Sequence, residues 1–405
     1  MKIHINEGVA RGNISAPPSK SMAHRLLICA AMCEGESTVR GISTCEDVLA
    51  TLDCLGALGV RCEQVGEDVV VCGKKPQDMR PSAPLKCRES GSTLRFMIPI
   101  AMRSEQTAVF YGAKSLMSRP MSVYENMCRE RGLTYLSDGE SIVVKGQLGG
   151  GEFTLPGDVS SQFISGLLFA LPTADKDSTI RILPPIESRS YIDLTIDALK
   201  SFGVSAAWQD EHTIFIKGKQ KYNPTDVTVE GDYSGAAFPE ALNLFGGEVC
   251  VSGLRPDTIQ GDSVYKKYYD MLVRGVPTIH IGDCPDLGPV LFAIAAAKNG
   301  GIFTGTRRLK IKESDRAEAM REELSKMGCD VTVLENEVFV KCEGLIAPKE
   351  IISGHNDHRI VMAMATLCTL TGGVIEGCEA VSKSFPDFFG KLSDLGIEVI
   401  NHEDK

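Results

Sequence analysis

The chain has 405 residues, 43% of them hydrophobic, enough for two or three domains with their own cores. Its formal net charge is −10, which excludes nucleic acid and an anionic membrane surface as main partners and requires any anion site to concentrate its cations locally. The 14 cysteines are scattered with no C-x-x-C pair, no apolar run reaches membrane-spanning length, and Met1 to Glu7 lack the apolar region of a secretory signal, so the expectation is free thiols in a reducing cytoplasm.

The first informative stretch is Pro17-Pro18-Ser19-Lys20-Ser21, which runs through Arg25 into the apolar Leu26 to Met32. Two prolines mark the approach to a helix, and Ser19 is its predicted cap. Lys20, Ser21 and the open N–H groups of the first turn then lie at the positive end of the helix dipole, an anion site made of backbone, hydroxyl and ammonium. The spacing G-x-x-x-x-G-K-[ST] is missing, so this is not a Walker loop. The competing reading is an ordinary capped helix with a surface lysine.

Beyond it the chain repeats. Amphipathic helices end at Gly59, Gly132, Gly203, Gly275, Gly328 and Gly396, at intervals of 73, 71, 72, 53 and 68 residues. A strand or hairpin is expected after each, as in Asp68 to Gly73, Ile142 to Gly146, Ile214 to Gly218 and Val338 to Lys341. A second series opens on small or polar residues around Lys20, Gly91, Ser160, Tyr233, Leu287 and Asp357, at intervals of 71, 69, 73, 54 and 70. Its bodies, such as Phe163 to Leu171, Val290 to Ala297 and Ile360 to Leu370, are apolar on nearly every face and are therefore predicted to be buried. Both series share the short fourth interval, so coincidence is a poor explanation. The fold class read from this is α/β, with sheets and outer helices around inner ones. If the inner helices run parallel, their N-termini gather at one end of each domain and build a positive potential there.

Cations recur near these openings. They stand in Ser118-Arg119-Pro120, in the seven residues Lys310 to Arg316 with their five charges, in His355-Asn356-Asp357-His358-Arg359, and in Ser382-Lys383-Ser384. Taken one at a time, each also reads as a solvated face or a structural ion pair. Arg119 and Arg359 have the geometry to grip a carboxylate or phosphate in bidentate fashion. His355 and His358 resemble a metal pair only superficially, because Arg359 is a poor neighbour for a cation; no metal or cofactor is expected. Glu313, between Lys312 and Arg316, is a candidate proton carrier in a cleft, whereas Asp286 alone reads as a plain helix cap.

With these motifs in order, the chain resembles the enolpyruvyl transferase family, in its 5-enolpyruvylshikimate-3-phosphate synthase branch. The match rests on Pro17 to Arg25, Gly91 to Arg95, Ser118-Arg119-Pro120, Gly157 to Phe163 and Tyr191-Ile192-Asp193. It continues through Glu230-Gly231-Asp232, Gln260-Gly261-Asp262, Lys312 to Arg316, Asn356 to Arg359 and Lys383 to Asp387. The resemblance implies an inside-out α/β barrel architecture: two similar domains, each of three α/β units with buried parallel helices. Residues 1–18 with 229–405 would form one domain and 19–228 the other, with the active site in the cleft between them. It implies transfer of the enolpyruvyl group of phosphoenolpyruvate to the 5-hydroxyl of shikimate 3-phosphate, a step of aromatic amino-acid biosynthesis and the target of glyphosate. Lys20, Ser21, Arg25, Ser160, Ser161, Gln162, Ser188, Tyr191, Asp286 and Lys312 would hold shikimate 3-phosphate. Lys20, Gly91, Arg119, Gln162, Arg316, His358, Arg359 and Lys383 would hold phosphoenolpyruvate. Asp286 and Glu313 would be the acid–base pair, assisted by Lys20, in a cytoplasmic monomer. The chain departs from the family at Glu89-Ser90-Gly91-Ser92, where an Asn-Ala-Gly-Thr-like turn is frequent, and at Arg308, where Asn is. The nearest rival is a UDP-N-acetylglucosamine enolpyruvyl transferase, but the region around Arg119 offers no reactive loop Cys, and Cys128 falls on an amphipathic helix. A non-catalytic binder of phosphorylated metabolites would need neither Asp286 nor Glu313.

Overall fold

Both helix series form. In the computed structural model, which describes residues 1–402, they alternate along the chain. The pairs are α1 (Lys20–Ala31) with α2 (Glu46–Ala57), α3 (Gly91–Ala101) with α4 (Ser122–Glu130), and α5 (Ser161–Ala170) with α6 (Arg189–Ser201). Then come α7 (Tyr233–Ala241) with α8 (Tyr265–Arg274), α9 (Gly288–Ala297) with α10 (Arg316–Ser325), and α11 (His358–Cys368) with α12 (Phe388–Asp394). The first member of each pair is the apolar one. α1 buries every residue from Met22 to Ala31, and α11 buries its whole length. The second member buries one stripe, as α8 does with Tyr265, Tyr269 and Leu272.

The caps follow from the openings. Ser19, Ser90, Ser160, Asp232 and Asp357 each accept a backbone N–H of the first turn. Five of the glycines that end the outer helices have positive φ, between 65° and 86°, which an L side chain adopts only at a cost. Gly275 differs. Its φ is 166°, extended backbone, because the chain runs straight on through Pro277 into the strand Thr278–His280. The hairpin expected there is absent. That missing hairpin is the physical origin of the short fourth interval in both series.

A shared strand order organises the sheets. In one, Leu85–Lys86 pairs parallel with Ala108–Tyr111, which pairs antiparallel with Ser141–Lys145, followed by Thr134–Ser137. Three others repeat this order of edge strand, central strand and hairpin. In the fifth, the N-terminal Lys2–Ile5 takes a hairpin place between Gly373–Glu376 and Val399–Asn401. The sixth is only Arg11–Ser15 beside Glu248–Ser252, again lacking the hairpin. Two edge strands are exchanged. Arg11–Ser15 precedes α1 but pairs with the strand after α7, while Val227–Thr228 precedes α7 but pairs with Gly35–Arg40 after α1.

The chain divides into two compact units, Met1–Pro17 with Gly231–Lys405, and Pro18–Glu230. Each has its own hydrophobic core. Where the chain passes from one to the other, backbone hydrogen bonds tie the passing strands within each unit: Ser19 N–H to the Glu230 carbonyl at 2.8 Å, and Asp232 N–H to the Pro17 carbonyl at 2.7 Å.

Within the continuous unit, α3 and α5 pack closely enough that a Cβ on Gly166 would fall 2.5 Å from the Arg95 carbonyl oxygen. Their first turns are joined by Gln162 and Ser92, so the two helices run the same way. In the other unit, α9 and α11 pack together and both of their N-terminal ends reach Arg316. The parallel inner helices expected from the sequence are present in these pairs.

Candidate active site

In the continuous unit, helix starts converge on one end. Lys20, the first residue of α1, donates to Asp47 Oδ2 at 2.9 Å, in the first turn of α2. The Asp47 carbonyl accepts from Thr93 Oγ1 at 3.4 Å, in the first turn of α3. Gln162, at the start of α5, donates to Ser92 Oγ at 2.9 Å and accepts from Arg95 Nη1 at 2.6 Å. Arg25 links α1 to α6: its Nε donates to Thr195 Oγ1 at 2.8 Å, Nη2 to the Tyr191 carbonyl at 2.9 Å and Nη1 to the Ser21 carbonyl at 2.6 Å. Thr195 Oγ1 in turn reaches Ser165 on α5 at 2.8 Å. The result is a ring of helix N-termini, hydroxyls and cations.

Further expected residues fall on the same ring. Ser160 caps α5, with Ser161 its first helical residue. Ser188 precedes α6 in the left-handed conformation, φ 56°. Arg119 Nη1 lies 3.0 Å from where a Cβ on Gly91 would stand, so the missing side chain is what admits the guanidinium to the start of α3. Burial lowers the Arg25 pKa to about 10, opposed by Tyr191 and Cys29, and it stays charged at neutral pH. His24, four residues after Lys20, is held well below the usual imidazole range by burial, then by Lys20 and Arg25. It is neutral and bonds Thr51 at 2.8 Å.

The second cluster is in the unit that carries both ends of the chain, and Arg316 is its centre. Only 1% exposed, its guanidinium donates from Nη1 to Asp286 Oδ1 at 2.8 Å and from Nη2 to Glu313 Oε2 at 2.6 Å, while Nε donates to Asp357 Oδ2 at 2.8 Å. A buried charge demands such pairing. Burial works against the cation, but Asp357, Glu313 and Asp286 outweigh it and raise its pKa above the ordinary value. Asp286 also accepts from Lys312 at 3.1 Å and pairs with Arg359 Nη2 at 3.1 Å. Burial lowers the Lys312 pKa, with Asp286 opposing and Arg308 and Arg316 adding to the fall.

Two of the simpler readings fail here. Asp286 does not cap its helix. It lies in the turn Pro285–Leu287 ahead of α9 and spends its carboxylate on cations. The charged run Lys310 to Arg316 is not a solvated face either, since Arg316 is buried and Lys312 and Glu313 are mostly so. Lys383 lies beside the cluster, donating to the Asn356 carbonyl at 2.6 Å and to Asn356 Oδ1 at 2.8 Å. His358 is buried, with Nδ1 3.9 Å from Asp357 Oδ1.

Every predicted site residue thus falls in one of two groups, each at the helix starts of its own unit. Asp47, Arg95, Thr195 and Asp357 are the members that motif reading did not assign roles. Asp47 and Asp357 carry a general signal: an acid in the first turn, or at the cap, of a helix whose neighbour presents a cation. Among the described residues, Glu322, Glu323 and His355 lie close enough to share a metal, but Lys326 already donates to Glu323 at 2.8 Å.

Repeated α/β units whose helix starts gather cations, hydroxyls and carboxylates define an α/β protein suited to holding small anionic molecules. The comparisons make that class specific. The model of the family "EPSP synthase (3-phosphoshikimate 1-carboxyvinyltransferase)" matches residues 6–392, and the chain belongs to that family. It is 38% identical over 419 residues to a 3-phosphoshikimate 1-carboxyvinyltransferase of Clostridium acetobutylicum, covering 98% of both chains. It is 37% identical to one of Clostridium novyi, covering 97% of both. In fold it is similar to an EPSP synthase structure from Acinetobacter baumannii, with a TM-score of 0.80 at 23% identity over 99% of this chain and 100% of that one. The family and fold expected from the sequence are borne out. Among the described residues no helix is long and apolar enough to cross a membrane.

Proposed function

We infer that this chain is a 3-phosphoshikimate 1-carboxyvinyltransferase of the shikimate pathway. It joins the enolpyruvyl group of phosphoenolpyruvate to the 5-hydroxyl of shikimate 3-phosphate and releases phosphate, as a monomer in the cytoplasm. The observation that carries the chemistry is the shared guanidinium. Arg316 holds Asp286 and Glu313 at once, which keeps two candidate proton-transfer groups side by side among Lys312 and Arg359.

In this reading the two clusters act on one pair of substrates. Ser21, Arg25, Ser160, Ser161, Gln162, Ser188 and Tyr191 take shikimate 3-phosphate from the ring of helix starts, with Lys20, Asp286 and Lys312. Gly91, Arg119, Gln162, Arg316, His358, Arg359, Lys383 and Lys20 take phosphoenolpyruvate. Each substrate carries a phosphate and a carboxylate, and helix N-termini with Lys and Arg are the chemistry that neutralises both. Glu313 or Lys20 delivers a proton to the methylene carbon of phosphoenolpyruvate, making C2 electrophilic. The 5-hydroxyl oxygen bonds C2 while Asp286 takes its proton. The addition product then loses phosphate by cleavage of the C2–O bond and a proton from the new methyl group, restoring the double bond. Lys20, Lys383 and the arginines stabilise the charge that develops.

Phosphate release from phosphoenolpyruvate is the test, measured with shikimate 3-phosphate and separately with UDP-N-acetylglucosamine. Release with the first alone is expected. Release with the second alone, or with neither, overturns the reading.

A further inference from the structure

The group Glu323, Lys326 and His355 lies outside the acid–base cluster but is tied to it through one loop. That loop, Ser353 to Asp357, connects the strand Ile352–Ser353 to α11. His355 and Asn356 both have positive φ, 48° and 52°, a conformation that non-glycine residues hold only when their surroundings impose it. What imposes it is visible. Glu323, with a side chain at 0% exposure, accepts from His355 Nε2 at 2.8 Å, from the Ser353 N–H at 3.0 Å and from Lys326 at 2.8 Å. Lys326 also reaches the Ile351 carbonyl at 3.1 Å.

The same loop is held a second time by the same helix. Arg316 and Glu323 are seven residues apart on α10, two turns along one face. Arg316 grips Asp357 at the loop's end, and Glu323 grips His355 near its start. Between those two grips lies Asn356, whose carbonyl and side-chain oxygens both receive the Lys383 ammonium. The grip at Glu323 favours the charged pair. Its hydrogen bond to Glu323 raises the His355 pKa, with burial and Lys326 opposing and Glu322 adding. Burial works against the Glu323 carboxylate, but His355, Lys326 and the Ser353 N–H outweigh it and hold it below the usual range.

We propose that His355 and Glu323 are positioning residues for phosphoenolpyruvate: by clamping the 353–357 loop to α10 they fix Asn356 and, through it, the Lys383 ammonium. The proposal rests on the reading that Lys383 holds phosphoenolpyruvate. Three shared oxygen and nitrogen ligands would also suit a divalent metal, but Lys326 occupies Glu323, and a clamp needs no ion.

The test is steady-state kinetics of the full chain in shikimate 3-phosphate and phosphoenolpyruvate, on His355→Ala, His355→Gln, Lys383→Ala and the double variant His355→Ala/Lys383→Ala. His355→Ala should raise the KM for phosphoenolpyruvate about 10-fold, the lower end for a residue that supports a binding group, with the KM for shikimate 3-phosphate within about twofold. His355→Gln keeps an N–H donor toward Glu323 and should recover most of the loss. In the Lys383→Ala background the His355→Ala change should add little, because its target is gone. An unchanged KM for phosphoenolpyruvate in a folded His355→Ala enzyme, full additivity in the double variant, equal losses for both substrates, or an effect of chelator on the wild type that mimics His355→Ala would each overturn the clamp. Failure of the wild type to turn over these substrates would instead overturn the functional reading. Glu323→Gln supplies the same information should His355→Ala not fold.

Discussion

Arg316 is a buried cation that faces three carboxylates, and removing it would leave Asp286, Glu313 and Asp357 facing one another without it. Arg316→Met should cost about 3–5 kcal/mol of stability, the usual penalty for breaking a buried pair from one side, read from urea unfolding. Two of these carboxylates, Asp286 and Glu313, are the proposed acid–base pair. Asp286→Ala and Glu313→Gln should each lower kcat by about 10²–10⁴ if they transfer protons, while Glu313→Gln still binds shikimate 3-phosphate in calorimetry; a loss below tenfold would remove them from the mechanism. The His355–Glu323 bond makes a pH prediction. The His355 pKa is raised from 6.5, so its contribution is complete below that unfolded value and fades as pH rises through the folded one. The Glu323 pKa is lowered from 4.5, so its contribution is present above that value and is lost as pH falls through the folded one. The clamp is therefore strongest between those two unfolded values, and wild type should outmelt His355→Gln by about 2–4 °C at pH 6 if the ionic bond contributes about 1 kcal/mol. The gap should close as pH rises through the folded His355 value; a constant gap would mean the bond is not ionic. At this scale the sequence was legible where a motif packs cations against a helix start, as at Lys20 and Arg316. It was not legible for Glu323, because nothing in a string of residues says which distant loop an acid on an outer helix will face.

Helices were easier to read than their partners. Burial on all faces is written into a run such as Val290 to Ala297, and left-handed helix ends are written into glycine, so both series were legible. The strand exchange between Arg11–Ser15 and Val227–Thr228 was not, since the two edge strands are short and interchangeable in character. Gly275 misleads for a related reason: a terminal glycine permits a left-handed end but does not require one when proline follows. The close approach of α3 and α5 offers a test at this scale. Alanine at Gly166 gains about 1 kcal/mol of helix propensity. Its Cβ would meet the Arg95 carbonyl at 2.5 Å and the Pro99 ring at 3.0 Å, and would collide with the Tyr124 hydroxyl. Tyr124 Oη already lies 2.8 Å from the Arg95 carbonyl and 3.0 Å from that of Phe163, so nothing there yields cheaply. Overpacking of about 1–3 kcal/mol should win, and Gly166→Ala should unfold at lower urea concentration. Because α3 and α5 each bring a start to the ring that holds Ser92 and Gln162, the variant should also weaken shikimate 3-phosphate binding; greater stability would refute the close-packing account.

At the scale of the whole chain, the two units differ in how they are encoded. Pro18–Glu230 is continuous and contains all the strands of its three sheets, including Val227–Thr228, which completes the sheet after α1. The other unit is not continuous. Lys2–Ile5 is an inner strand of its sheet, hydrogen-bonded to Gly373–Glu376 on one side and Val399–Asn401 on the other. Among the described residues, Arg11–Ser15 supplies the only strand partner of Glu248–Ser252. A fragment beginning at Gly231 would therefore lose the centre of one sheet and half of another, leaving two rows of backbone donors and acceptors unpaired. It would also lose Ile3, Ile5, Ala10 and Ile14, all buried in that unit's core. Residues 18–230 expressed alone should fold, with a single cooperative urea transition and native-like circular dichroism, because its three sheets and its hydrophobic core are complete on it. Residues 231–405 alone should not, and adding a peptide of residues 1–17 should restore a cooperative transition. A cooperative 231–405 fragment would show that the N-terminal strands decorate the unit, and an unfolded 18–230 fragment that its three repeats depend on the rest of the chain.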